Sequence, residues 1–224
     1  MDFNSPMTSP EMVIAGMPGF SGLGNADFIS LLLSREASAH RYRKQFIERL
    51  NYMPVEIREA IKAGRLQMVD AQFYKTEKFE GSSVDVFQQD DDISIGISNV
   101  AKSRLEVNKP FVLSAIQLLY STHATDAITN FDPVEYPAAL KRGEISFRYN
   151  SKDVIDKMPV FSTFDPGIDG YDQQKPYGFY ELKNPKIMLD DRIEFTIRLQ
   201  AGQNLGAESH AVKVLLIGTT VKPY

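Results

Sequence analysis

Residues 193–199 read IEFTIRL, with Ile193, Phe195, Ile197 and Leu199 alternating strictly with Glu194, Thr196 and Arg198. Successive side chains of an extended chain point to opposite faces, so this rhythm makes one face apolar and the other wet. Ile145, Phe147 and Tyr149 keep the same beat against Glu144, Ser146 and Arg148, and Ile93, Ile95 and Ile97 keep it against Ser94, Gly96 and Ser98. Residues 111–120 are nearly all apolar, as a strand buried on both faces would be, and residues 212–217 supply a final buried strand that 219–222 extend. Leu66, Met68, Val69, Ala71 and Phe73 fit a strand with a bulge or a two-sided core. Shorter strands are expected at 84–87, 159–163, 179–182 and 187–189. No helical pattern separates these segments, and a parallel sheet needs a helix at each crossover. The expected fold is therefore mainly β: an antiparallel β-sandwich of about eight strands over residues 65–224.

A different pattern precedes it. Residues 1–24 are rich in Met, Ser, Pro and Gly and read as a flexible N-terminal arm, within which Met12, Ile14 and Phe20 are the expected contacts if the arm docks. Residues 25–64 read as a helical segment. Asn25 suits an N-cap, Asp27 falls in the first turn, and Phe28, Leu32, Ala39, Tyr42, Phe46 and Leu50 recur at helical spacing to about Asn51. Pro54 suits the start of a second helix that Gly64 ends. Residues 25–65 hold eight Lys or Arg against five Asp or Glu in a chain of net charge −4. Either a solvated helix face explains the excess, or Arg35, Arg41, Arg43, Lys44 and Arg49 meet a negative partner such as packaged nucleic acid.

Patterns for chemistry are broken one by one. There is no cysteine, which removes disulfides, thiolate metal sites and cysteine nucleophiles. His40, His123 and His210 show no metal-ligand spacing. Pro18 interrupts the glycines at 16, 19, 22 and 24, and Ser21 lies in GFSGLG, so neither a dinucleotide loop nor a nucleophile elbow is formed. No catalytic residue and no cofactor are expected. Asp165, Asp169 and Asp172 punctuate a Gly-containing loop in which turn formation accounts for them, with Ca²⁺ as the metal alternative. No run reaches the roughly 18 apolar residues of a membrane span. The N-terminus lacks a basic signal start, so synthesis in the cytoplasm is expected.

Two connections are long, residues 121–142 and 164–178, and long loops on a rigid scaffold are where recognition concentrates. Asp132, Tyr136, Tyr171 and Tyr177 are the candidate interaction residues there. In layout, the segments RLQMVDAQFY, KPFVLSAIQLLYST, GEISFRYN, KNPKIMLDDRIEFTIRL and HAVKVLLIGTTV resemble the single jelly-roll capsid and structural proteins of icosahedral viruses, tailless phages included. The resemblance covers residues 65–221. It implies a jelly-roll sandwich and a capsid subunit or minor shell component, localised to the virion, that self-assembles with copies of itself and other virion proteins through sandwich edges, loops and arm. It departs from that family in having no Lys or Arg in residues 1–24. The alternatives from other classes are a receptor- or carbohydrate-binding sandwich and a metal-assisted hydrolase on the same fold.

Overall fold

The structure, a computed structural model, describes residues 24–35, 41–106, 109–164, 178–190 and 192–224. Eight strands are present among them: β1 (Leu66–Lys78), β2 (Ser83–Asp85), β3 (Phe111–His123), β4 (Glu144–Tyr149), β5 (Lys152–Pro159), β6 (Phe179–Met188), β7 (Ile193–Arg198) and β8 (Ser209–Pro223). They form two antiparallel four-stranded sheets, ordered β1-β8-β3-β6 and β2-β7-β4-β5. Nested pairs therefore run β1 with β8, β2 with β7, β3 with β6 and β4 with β5, alternating between the sheets. That winding is a jelly roll: the strand pattern leads one to expect the sandwich, and the resemblance implies its winding.

The alternating residues do what their period requires. Phe147 and Ile145 of β4 and Phe195 and Ile197 of β7 point inward, against Phe111, Ile116 and Leu118 of β3 and Val214 and Leu216 of β8. The Phe147 and Phe195 rings lie 5.7 Å apart. Strand β3 changes phase once. The register shifts between Leu113 and Ala115, so Phe111 and Leu113 before Ser114, and Ile116 and Leu118 after it, all reach the same core.

The expected burial of 111–120 on both faces holds, and helices supply the second cover. Helical backbone spans α1 (Asn25–Arg35), α2 (Arg41–Glu48) and α3 (Val55–Lys62), with a 3₁₀ turn at Leu50–Tyr52. Residues 36–40, including Ala39 and His40, lie outside the described residues. Phe28, Leu32, Phe46, Ile47, Leu50, Ile57 and Ile61 pack with Met68, Val112 and Val221 in a second core on the outer face of the first sheet. The molecule is thus three layers deep there. Helix α1 starts one residue earlier than its cap pattern suggests, since the Phe28 N–H bonds the Gly24 carbonyl at 3.0 Å. Helix α3 ends as Pro54 and Gly64 forecast. Gly64 adopts φ +68, its N–H bonds Ile61 O, and the Arg65 N–H reaches back to Ala60 O at 2.8 Å, a Schellman closure.

Three strand expectations need correction. Residues 93–97 are a turn, with Ile93 66% and Ile95 98% exposed, because Gly96 at φ +86 reverses the chain. Residues 159–163 are mostly a 3₁₀ helix (Val160–Phe164), which buries Val160 and Thr163 three apart on one side. The two short strands at 179–182 and 187–189 are one strand, β6, interrupted by an irregularity between Leu113 and Ala115 of its partner. Replacing Phe195 by Asp puts an unpaired charge at a position 1% exposed between the sheets. That costs several kcal/mol, and the variant is expected to lose its cooperative thermal transition, measured by near-ultraviolet circular dichroism.

Candidate functional site

A two-sheet sandwich ends in four edge strands whose unpaired N–H and C=O groups invite another chain. Here β1 and β2 border one flank, β6 and β5 the other. How each edge is finished decides where a partner can bind.

On the first flank, residues 94–99 close the β1 edge from Gln72 to Thr76. Ser94 and Ser98 exchange N–H···O bonds at 2.8 and 2.9 Å, which draws the segment into a tight loop. From it, Ile97 O accepts the Thr76 N–H at 2.7 Å, and the Asn99 N–H donates to Tyr74 O at 3.1 Å. The Asn99 side chain continues the mimicry of a strand: its Oδ1 accepts the Tyr74 N–H at 2.6 Å and its Nδ2 donates to Gln72 O at 2.8 Å. Lys213 of β8 clamps the loop from the outer face. Its ammonium donates to Gly96 O at 3.0 Å and lies 4.9 Å from the Tyr74 ring centre and 5.4 Å from that of Phe131. Desolvation in this aromatic setting lowers the Lys213 pKa.

Beneath the loop, Lys75 points into the sandwich. It is buried against Asp91 at 2.5 Å and Glu77 at 3.2 Å. Asp91 also accepts the Gln88 N–H through Oδ2 at 2.8 Å, and its carbonyl accepts the Lys102 N–H, so one residue pair pins the β2–β3 connection to β1. Desolvation, the largest influence, pulls the Lys75 pKa down; the hydrogen bond to Asp91 and the charge of Glu77 outweigh it, and the net direction is up. The result is a rigid loop that presents Ile93 and Ile95 to solvent, flanked by exposed Asp90 and Asp92.

The opposite flank is finished differently. At Asn184 and Pro185 of β6, Arg49 donates through Nε to Pro185 O at 2.8 Å and through Nη2 to Asn184 Oδ1 at 3.1 Å. Arg41 pairs with Glu181 of β6 at 2.9 Å. Arg41 of α2 and Arg49 just after it therefore tie this segment to β6; the nucleic-acid expectation is corrected for Arg49, whose side chain is 19% exposed, while the Arg41 side chain stays 68% exposed. Arg43 and Lys44 also have partners, and the Arg35 side chain lies outside the described residues. Strand β5, whose charges hide its pattern in the sequence, is kinked at two register shifts, with Lys157 at φ +44 and Pro159 at its end. Exposed Phe161, at 62%, follows it, and Val134, at 38%, bonds through its N–H to Tyr120 O beyond the start of β6.

The 121–142 connection is ordered by its own polar groups. Asp126 accepts the Ile128 N–H at 3.0 Å and the Thr129 hydroxyl at 2.7 Å; the Thr129 bond first, then the Ile128 N–H, lower its pKa. Asp132 is exposed, its N–H on Ser121 Oγ. Tyr136 is a correction: it is buried, donates to Leu118 O and packs edge-on to Tyr120, so it serves the core and not a binding surface. A short helix, α4 (Ala138–Lys141), closes the connection. Asp165, Asp169, Tyr171, Asp172 and Tyr177, and Met12, Ile14 and Phe20 of the N-terminal segment, lie outside the described residues. Among the described residues no three His, Cys, Asp or Glu side chains gather as a metal site, and no helix is long and apolar enough to cross a membrane. Along β2, a groove of about 910 Å³ is lined by mixed charges, among them Glu77, Asp85, Arg192, Glu194 and Arg198.

No protein-family model and no curated protein matches this chain. Among solved structures it is similar to a chain of the acidic stable capsid structure of Helicobacter pylori bacteriophage KHP30, at 10% identity over 71% of this chain and 99% of that one, with a TM-score of 0.29. A likeness of that size carries no argument about function.

Replacing Lys75 by Met strands the Asp91 carboxylate in a buried position and is expected to cost about 3–5 kcal/mol in urea unfolding. In the native chain the Lys75 pKa stands above its ordinary 10.5, so its contribution is intact below that pH and fades as the pH rises through the folded value. Alkaline titration of stability in native protein against the Lys75→Met variant checks the sign.

Proposed function

We propose that this protein is a virion structural protein, a capsid subunit or minor shell component, which works by self-assembly and not by catalysis. The observation that carries the reading is the way large apolar side chains are displayed. Ile95 at 98% and Ile93 at 66% exposure stand on the braced loop beside β1, Phe161 at 62% on the 3₁₀ turn after β5, and Tyr52 at 80% on the 3₁₀ turn of the helical layer. Scattered exposed apolar groups are ordinary on soluble proteins. A pair of isoleucines on a loop braced by backbone bonds, an asparagine and a caged lysine is a different matter, because pre-organised apolar groups lower the ordering cost of forming an interface.

The backbone supports the same reading. With the Gln72–Thr76 stretch of the β1 edge occupied by residues 97–99 and the β6 and β5 edges broken by Pro185, Pro159 and bulges, neighbours meet through side chains and loops more readily than by adding a strand. Contacts of that kind have the definite geometry a closed shell needs, whereas open strand addition leads to fibres.

Sedimentation velocity of the purified chain from low micromolar to high micromolar concentration, with electron microscopy of the heaviest fractions, tests this. Regular closed particles or discrete oligomers growing with concentration are expected. A monomer throughout, with specific retention on a glycan or receptor surface, would replace this reading with that of a recognition module.

A further inference from the structure

Among the described residues, Lys75 and Asp91 form the one ion pair in which both side chains are nine-tenths buried or more, at 10% and 7% exposure. Lys75 lies on the face of β1 that Ala71 and Phe73 turn toward the core, and Val86, Phe87 and Val100 of the connection that carries Asp91 are buried in the same core. The Lys75 Nζ stands 2.5 Å from Asp91 Oδ1, one bond from the carboxyl carbon, and 3.2 Å from Glu77 Oε2. The other Asp91 oxygen, Oδ2, accepts the Gln88 N–H at 2.8 Å. Glu77 is 20% exposed, so the pair reaches solvent through it.

A structural ion pair needs only the first of these contacts. The others supply what condensation of an amine with a carboxyl group requires: a second carboxylate on the amine to move protons, and an N–H donor on the carboxyl oxygen that stays behind. Reactants held side by side need no encounter, and effective concentrations in well-oriented pairs reach about 10⁵ M or more. Keeping two charges out of water carries a desolvation cost, and condensation removes both charges.

We infer that Lys75 and Asp91 close an intramolecular isopeptide bond, with Glu77 as the residue that moves the protons. Glu77 takes a proton from the Lys75 ammonium, and the free amine attacks Asp91 Cγ. As the Nζ–Cγ bond forms, negative charge gathers on Oδ2, where the Gln88 N–H receives it. Glu77 carries two of the three ammonium protons in turn to Oδ1, the Cγ–Oδ1 bond breaks, and Oδ1 leaves as water. The third proton stays as the amide N–H, Oδ2 becomes the amide oxygen, and Glu77 ends as it began. No oxidant, cofactor or further reactant enters. The carboxylates keep Lys75 an ammonium at rest, its pKa up on balance, so the amine is a minor species and the bond closes slowly after folding. The ion pair and its titration described above belong to the chain before this bond closes. The bond ties the connection between β2 and β3 to β1 whether or not copies assemble, so it stands apart from the assembly reading.

Intact-mass measurement of the full native chain, kept folded at neutral pH and sampled over days, tests this. The expected product is one water lighter than the sequence. Trypsin is expected to leave it uncut at Lys75 and to release a branched peptide joining residues 66–78 to residues 79–102, with fragmentation placing the branch on Asp91. The same chain held in urea is expected to keep its full mass, because unfolding separates the reactants. Lys75→Arg keeps the charge without the amine, and its full mass is expected to persist in the folded state. Glu77→Gln is expected to slow closure at least about a hundredfold, the scale of general acid–base catalysis, with its circular dichroism unchanged. A folded native chain that retains its full mass and is cut at Lys75 overturns the inference. Loss of water without the branched peptide overturns it as well, since a succinimide at an aspartate has that mass. Closure at the native rate in Glu77→Gln overturns the role given to Glu77.

Discussion

Strands β3 and β8 lie side by side at the centre of the first sheet and are apolar on both faces. That constraint propagates outward. Their inner face, with Phe111, Ile116, Leu118, Val214 and Leu216, requires the second sheet; their outer face, with Val112 and Val221, requires the helices. Burial of apolar area at about 25 cal/mol per Å² is the main favourable term for both layers. The Cβ that any other residue would add at Gly218 of β8 would stand 2.0 Å from Val112 O, so the centre of the sheet has no slack. Helix α2 is then locked in place by Arg41 and Arg49 reaching β6, polar contacts at the margin of an apolar contact.

The parts of this architecture that were legible in the sequence share one property, a single period governed by a single face. Strand β7 has inward Ile193, Phe195 and Ile197 and a wet outer face, and its residues say so directly. Strand β5 did not, because only Ile155 of its residues is buried and two register shifts scramble the alternation. The Ile93–Ile97 alternation misled for the opposite reason: period two reports side-chain direction and not whether a core waits on either side. The 159–163 segment likewise carries apolar residues that a tight helical turn buries as well as a strand does.

The flanks were less legible than the layers. Nothing local marks Asn99 as a side chain that imitates a strand, since its partners at Gln72 and Tyr74 are over twenty residues away. Lys75 shares the inward face of Ala71 and Phe73, where a charge is tolerable only because Asp91 comes from a distant loop to meet it, and Lys213 is identifiable as a clamp only once Tyr74, Phe131 and Gly96 are brought to it. Tyr136 seemed a loop aromatic and proves to be core, because the connection folds back over Leu118 and Gly178. Long-range pairings of this kind come from topology, which the period of a strand constrains but does not specify.

Together these features make the helical layer and the jelly roll one cooperative body built around β3 and β8. Native-state amide hydrogen exchange on the full chain tests this most directly. Amides of β3 and β8 are expected to be the slowest to exchange, and those of α2 and α3 to open with them in one global event whose free energy tracks denaturant together. Helices that exchange in a separate, lower-energy opening while β3 and β8 keep full protection would contradict it, and would make the second core an accessory to the sandwich.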